Sequence, residues 1–286
     1  MPAFNELFVK KIKDFEVKVF DVELSDDEQA SKLEEFLKSK VKRIKAFQDV
    51  KNISGYLKTP GIDSAYKEKF EATLTDIINP DKNKIPWFDI RRSYVTEFMS
   101  QLLLSKQFQC VFYEEADRRM NADAITIKKH SPGIDVTGVR NEGGTMKFVV
   151  CEVKASKDKI PTSSAADLLD DIKKSLADES DRLSSEILYF MQQLLNKGEF
   201  FEQTINFLLK CLSEKVEKGI VLENVIFFPF LIRNNEEIAK DQNVDDYTDF
   251  GNHSFDDTSV NGIIWSFNKD IDDFCISIWE NAVNEL

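Results

Sequence analysis

The sequence predicts a mixed α/β fold, and three observations carry that expectation. Met146–Val153 and Val225–Ile232 are apolar runs rich in β-branched and aromatic residues, the composition of covered strands. Gly143-Gly144 is a two-residue hairpin signal that folds the chain before it back onto Met146–Val153. Elsewhere apolar residues recur at helical spacing, as in Ile271, Phe274, Cys275, Ile278, Trp279 and Ala282.

With 286 residues, one large domain, or one domain with a smaller companion, is expected. An apolar fraction of 42%, with 23 Phe, is ample for a packed core. Phe15–Leu24 alternates as a strand does. Ser25-Asp26-Asp27-Glu28 then has the acidic composition of a helix start. The helix that follows offers Leu33, Phe36, Leu37, Val41, Ile44 and Phe47 to a core. Its other face carries Lys38, Lys40, Lys42, Arg43 and Lys45, expected to be a solvated face rather than a nucleic-acid contact.

The polar, turn-rich segment Asn79–Pro86 marks a boundary between a mainly helical region, 1–85, and a second domain, 86–286. Phe88–Lys106 reads as a helix that turns Phe98, Leu102 and Leu103 inward with Glu97 among them, and Cys110–Glu115 reads as a strand. After the hairpin, Ser163 or Ser164 caps a helix running to Leu176. A helical insertion follows, with Leu183, Ile187, Met191, Leu194 and Leu195 in one helix. Gly198 interrupts it before Phe201, Ile205, Leu208, Leu209 and Leu212 in the next. Pro229 predicts that Val225–Ile232 is an edge or bulged strand. Asp241–Asp257 reads as an acidic loop before the final helix.

The chemistry gathers at Ser131-Pro132-Gly133-Ile134-Asp135 and Val149-Val150-Cys151-Glu152-Val153-Lys154. A hairpin folded symmetrically about the Gly pair sets Asp135 opposite Glu152, on the same side of the sheet. Lys154, two residues on, shares that side. Charged groups on a covered strand are costly unless paired or metal-bound. The triplet alone says little, since Glu16-Val17-Lys18, Asp49-Val50-Lys51 and Asp171-Ile172-Lys173 repeat it. Joined to the Gly-Ile-Asp strand and the turn, it favours a site for Mg²⁺ or Mn²⁺ over a structural ion pair.

These residues resemble the PD-(D/E)xK nuclease signature: Pro132-Gly133-Ile134-Asp135 with Glu152-Val153-Lys154. The element order is similar to that restriction-endonuclease-like core, αβββαβ. A narrower resemblance, carried by Ser163-Ser164-Ala165-Ala166 and the Leu- and Asp-rich helix it opens, is to the HamA family, nuclease subunits of the Hachiman anti-phage defence system that work with a helicase. The resemblance implies a metal-dependent DNA nuclease in anti-phage defence. Asp135, Glu152 and the Val153 carbonyl would hold the metal, with Glu97 completing the site and Lys154 acting beside it. Arg91 and Arg92, and Arg118, Arg119, Lys128 and Lys129 in the basic stretch Ala116–His130, are candidates for DNA phosphates, with ordinary surface charge as the alternative. His130 could serve as a base, although a lone His near a turn is more often exposed. The other readings are an inactive nuclease fold that binds DNA or a partner, and a stand-alone restriction-type endonuclease.

A formal net charge of −13 argues against a simple DNA-coating protein and suits DNA delivered by a partner. Cys110, Cys151, Cys211 and Cys275 form no Cys-x-x-Cys pair, so neither a zinc site nor a disulfide framework is signalled. Two His exclude a His-based metal cluster. No phosphate-binding Gly-rich loop or nucleophilic triad motif is present. With no signal peptide and no bilayer-length apolar run, a cytoplasmic location is expected.

Overall fold

Asp135 and the strand bearing Glu152 stand near one edge of a single mixed sheet. Its strands are β1 (Asn5–Ile12), β2 (Phe15–Asp21), β3 (Val136–Glu142), β4 (Thr145–Ser156), β5 (Val225–Arg233) and β6 (Ser259–Ser266). They lie in the order β1-β2-β6-β5-β4-β3. The two outer pairs are antiparallel, and the central β2–β6, β6–β5 and β5–β4 pairs are parallel. The computed structural model describes residues 1–57, 63–78, 85–121, 133–196, 202–218, 222–234, 236–255 and 258–285. The helices in chain order are α1 (Asp27–Arg43), α2 (Lys45–Leu57), α3 (Ser64–Ile78), α4 (Ile85–Phe108), α5 (Ser163–Leu176), α6 (Arg182–Asn196), α7 (Glu202–Lys218), α8 (Glu236–Asp241), α9 (Thr248–Asn252) and α10 (Ile271–Asn284). Among the described residues no helix is long and apolar enough to cross a membrane.

Alternation along β4 divides the core. Val149, Cys151, Val153 and Ala155 pack with α1, α4 and α10 on one face. Phe148 and Val150 pack with α5, α6 and α7 on the other. This is why β4 reads as a continuous apolar run: both faces are covered. Glu152 and Lys154 fall on the α5–α7 face.

Three expectations are corrected. Cys110–Glu115 is not a strand: only Val111 bridges to Val139, and Glu114–Ala116 forms a short 3-10 turn. Glu114 pairs with Lys40 and Arg43 of α1, which draws the chain off the sheet. Nor is β5 an edge or bulged strand: it lies between β4 and β6, and every residue is buried. Its ladder with β6 lapses at Phe228 and Pro229. There the Tyr247 hydroxyl lies 2.7 Å from the Pro229 carbonyl and 2.9 Å from that of Ile263, positioned to donate to either. The sheet thus accommodates a proline by inserting a side-chain donor where a main-chain one is missing. Finally, the helix expected to reach Phe47 breaks at Ile44, whose backbone is extended, and α2 starts afresh at Lys45.

The expected boundary at 79–86 lies largely outside the described residues, as does Gly198. The region before it supplies β1 and β2 to the common sheet, with β2 parallel to β6.

Candidate functional site

The β3–β4 ladder adopts the register expected from the Gly143-Gly144 turn, from Glu142↔Thr145 to Val136↔Cys151. Both glycines have positive φ, 59° and 90°, as such a turn requires. Asp135 stands one residue before β3. Its Oδ2 accepts the Val153 N–H at 2.8 Å, replacing the next rung of the ladder with a side chain. A strand residue sends its N–H and C=O to the same neighbour. The Val153 carbonyl therefore faces the same open side as Asp135.

Glu152 is 1% exposed. Its Oε1 accepts from Arg182 Nη2 at 2.8 Å and from Ser175 Oγ at 3.3 Å, and Arg182 Nε donates to Ser175 at 3.0 Å. Burial, then the neighbouring Asp135, push its carboxyl up to about 8, against the pull of Arg182. The Asp135 carboxyl is also raised, by burial, although the Val153 N–H, Lys154 and Arg119 oppose the shift. Lys154 forms an ion pair with Asp171 of α5 at 2.9 Å. Burial draws the ammonium down, but Asp135 and Asp171 outweigh it and hold Lys154 above its ordinary value. Asp171 is shifted below the usual carboxylate range: burial opposes this, and the Lys154 contact prevails.

Asp135 and Glu152 are therefore two carboxyls that resist being ionised together, a site short of positive charge. Among the described residues, Asp135 Oδ1 and Glu152 Oε2 accept no hydrogen bond. Two carboxylates and a carbonyl fit Mg²⁺ or Mn²⁺, which take oxygen donors and complete their shells with water and phosphate. They do not fit a closed protein cage. Among the described residues no group of three or more His, Cys, Asp or Glu side chains is placed to hold a metal.

Glu97 is buried, but its carboxylate accepts from Arg119 and Ser93. Arg119 also donates to the Asp135 main-chain carbonyl and grips Asp117, with Nε to Oδ1 at 2.8 Å and Nη2 to Oδ2 at 3.1 Å. Glu97 thus meets the site through Arg119. Burial lowers the Arg119 guanidinium to about 10 and raises Asp117 to about 6.

Arg118 is paired with Glu186 at 3.0 Å and lies 3.8 Å from the Tyr189 ring centroid. Arg91 is buried. Arg92 binds Asp272 at 3.1 Å and the Ala155 carbonyl. Lys128, Lys129 and His130 lie outside the described residues. Of the sequence candidates, Asp135, Glu152, Val153 and Lys154 are brought together, with Glu97 linked through Arg119.

The HamA family model matches residues 2–278. The chain belongs to the HamA family. That membership associates it with the Hachiman anti-phage defence system. No curated protein matches the chain.

Sequence reasoning on this HamA-family chain passed over Arg182, Ser175 and Asp171. Asp171 even sat in one of the discounted acid-x-Lys triplets. Its signal was available on α5: Leu168, Leu169 and Ile172 form the buried stripe, and Asp171 stands at that stripe's margin.

Proposed function

We propose that this HamA-family chain is a metal-dependent nuclease that hydrolyses DNA phosphodiesters in defence against phage, with a helicase as its partner. The observation that carries the reading is the replacement of a ladder rung by the Asp135 carboxylate opposite Glu152, with Lys154 on the same face. Asp135, Glu152 and the Val153 carbonyl would hold Mg²⁺ or Mn²⁺. Bound there, the ion would polarise the scissile phosphate and lower the pKa of an attacking water. Lys154, held cationic by Asp135 and Asp171, would stabilise charge gathering on the phosphate oxygens or orient that water. Arg119 would fix the Asp135 main chain, and Glu97 would fix Arg119.

The formal charge of −13 supports delivery of DNA by a partner, since an acidic chain on its own repels phosphates. One observation favours the second reading, a nuclease fold that binds DNA or a partner without turnover. Glu152 and Lys154 are each already engaged, by Arg182 and Asp171. The test is plasmid cleavage with Mg²⁺, with and without the partner, in the parent and in D135A, E152A and K154A. Cleavage lost in all three variants is the expected result. Cleavage that survives all three overturns the assignment. No cleavage by the parent in either setting favours the binding reading. Sequence-specific cutting by the isolated chain would point to a stand-alone restriction-type enzyme.

A further inference from the structure

Arg182 opens α6 directly after Asp178, Ser180 and Asp181, three non-Gly residues with φ of 47°, 54° and 58°. Such left-handed positions are uncommon for these side chains and fix the direction in which α6 starts. The guanidinium runs from there to Glu152 and Ser175, so a carboxylate of the metal site is held by a cation of the chain itself. Unlike Glu152, the Arg182 side chain is not sealed in: it is 22% exposed. It also lines a cavity of about 460 Å³ with Arg118, Gly133, Lys174 and Glu186.

Formal charges sharpen the comparison. With both site carboxyls ionised, as a bound dication requires, Asp135, Glu152 and Asp171 carry three negative charges against two positive ones on Lys154 and Arg182, a balance of −1 among these five groups. A dication beside Asp135 and Glu152 turns the balance to +1 and sets two cations at one carboxylate. A phosphodiester, with its single negative charge, returns the balance to zero and gives a guanidinium a better partner. Resting on the metal-site reading above, we infer that Arg182 is an internal stand-in for the divalent ion. It holds the Glu152 carboxyl in the metal-free chain, and its guanidinium swings into the adjoining cavity when the ion binds. The site is thereby kept assembled without metal, at the cost of metal affinity.

Mn²⁺ binding, followed by electron paramagnetic resonance or calorimetry with no DNA present, tests this on the full chain. R182Q removes the charge and keeps a hydrogen-bonding group, and is expected to bind Mn²⁺ about tenfold or more tightly, as expected for one close competing charge removed. R182K, which keeps the charge, stays near the parent. D135N loses the binding. Binding that needs Asp135 but is unchanged or weaker in R182Q overturns this inference alone. Binding that is absent from the parent, or indifferent to D135N, removes the metal-site reading and this inference with it. Should R182Q fail to fold, the unmutated chain still decides. Its Arg182 Nε–Hε resonance, assigned by its absence from R182K, should shift and exchange faster with solvent as Mg²⁺ is added. A resonance unmoved through saturating Mg²⁺ overturns the inference.

Discussion

At the scale of single residues, the candidate site is an electrostatic conflict whose pH dependence can be read directly. Folded Glu152 keeps its proton up to about 8, whereas an ordinary glutamic acid releases it near 4.5. Folding therefore takes up a proton between those values. The contribution of Glu152 to stability is intact below about 4.5 and is lost as pH climbs through about 8. E152Q removes that dependence. In metal-free buffer its melting temperature should gain steadily on the parent's between about pH 5 and about pH 8.5, and a difference that stays flat over the range would count against the conflict. Gly133 offers a steric counterpart. Its φ is +121°, and a Cβ there would lie 2.1 Å from Glu186 Oε1. G133A is expected to cost about 1–3 kcal/mol from the backbone conformation alone. Two residues before Asp135, the added methyl would also disturb the Arg118–Glu186 pair, and urea unfolding of the variant measures the loss. The meeting of Asp135 with Glu152 is legible in sequence because the turn and strand alternation determine it. Arg182 is not, because helix packing across the sheet brings it in and no local pattern encodes that; the apolar stripe of α5 places Asp171, but not its pairing with Lys154.

At the scale of elements, legibility follows the strength of local rules. The β3–β4 hairpin, α4, α5, α6 and α10 are readable from turn chemistry and apolar period. β6 is not, because its Asn261-Gly262 pair carries a turn signal in the middle of a strand. Gly262 is needed there for a packing reason: a Cβ would lie 2.8 Å from the Phe15 ring. β1 escapes notice because it is a sheet edge with most residues exposed, so it shows no buried alternation. Pro229 misleads for the opposite reason. Its edge-strand rule is sound, but Tyr247, far away in sequence, supplies the missing donor inside the sheet. This assigns Tyr247 a measurable structural duty. Y247F removes the one hydroxyl donor available to the buried Pro229 and Ile263 carbonyls and should cost about 1–3 kcal/mol in urea unfolding. A loss within experimental scatter would show that β5 and β6 hold together across the lapse without it.

At the scale of the whole molecule, the sheet is the unit that makes or breaks the site. β2 lies between β1 and β6, parallel to β6 from Glu16↔Asn261 to Phe20↔Trp265. Val17 and Val19 face the α5–α7 side, while Phe20 joins α1, α4 and α10 on the other. A chain beginning at residue 86 would therefore expose both faces at the new edge and strip α1 from α4 and α10. Each large apolar side chain so exposed forfeits roughly 1.5–3 kcal/mol. A few such losses exceed the roughly 5–15 kcal/mol that holds a typical domain folded. The fragment 86–286 is thus expected to be insoluble or to lack a cooperative thermal transition by circular dichroism. A soluble fragment that melts cooperatively would show that β6 can serve as an edge strand and that residues 86–286 fold without the first 85.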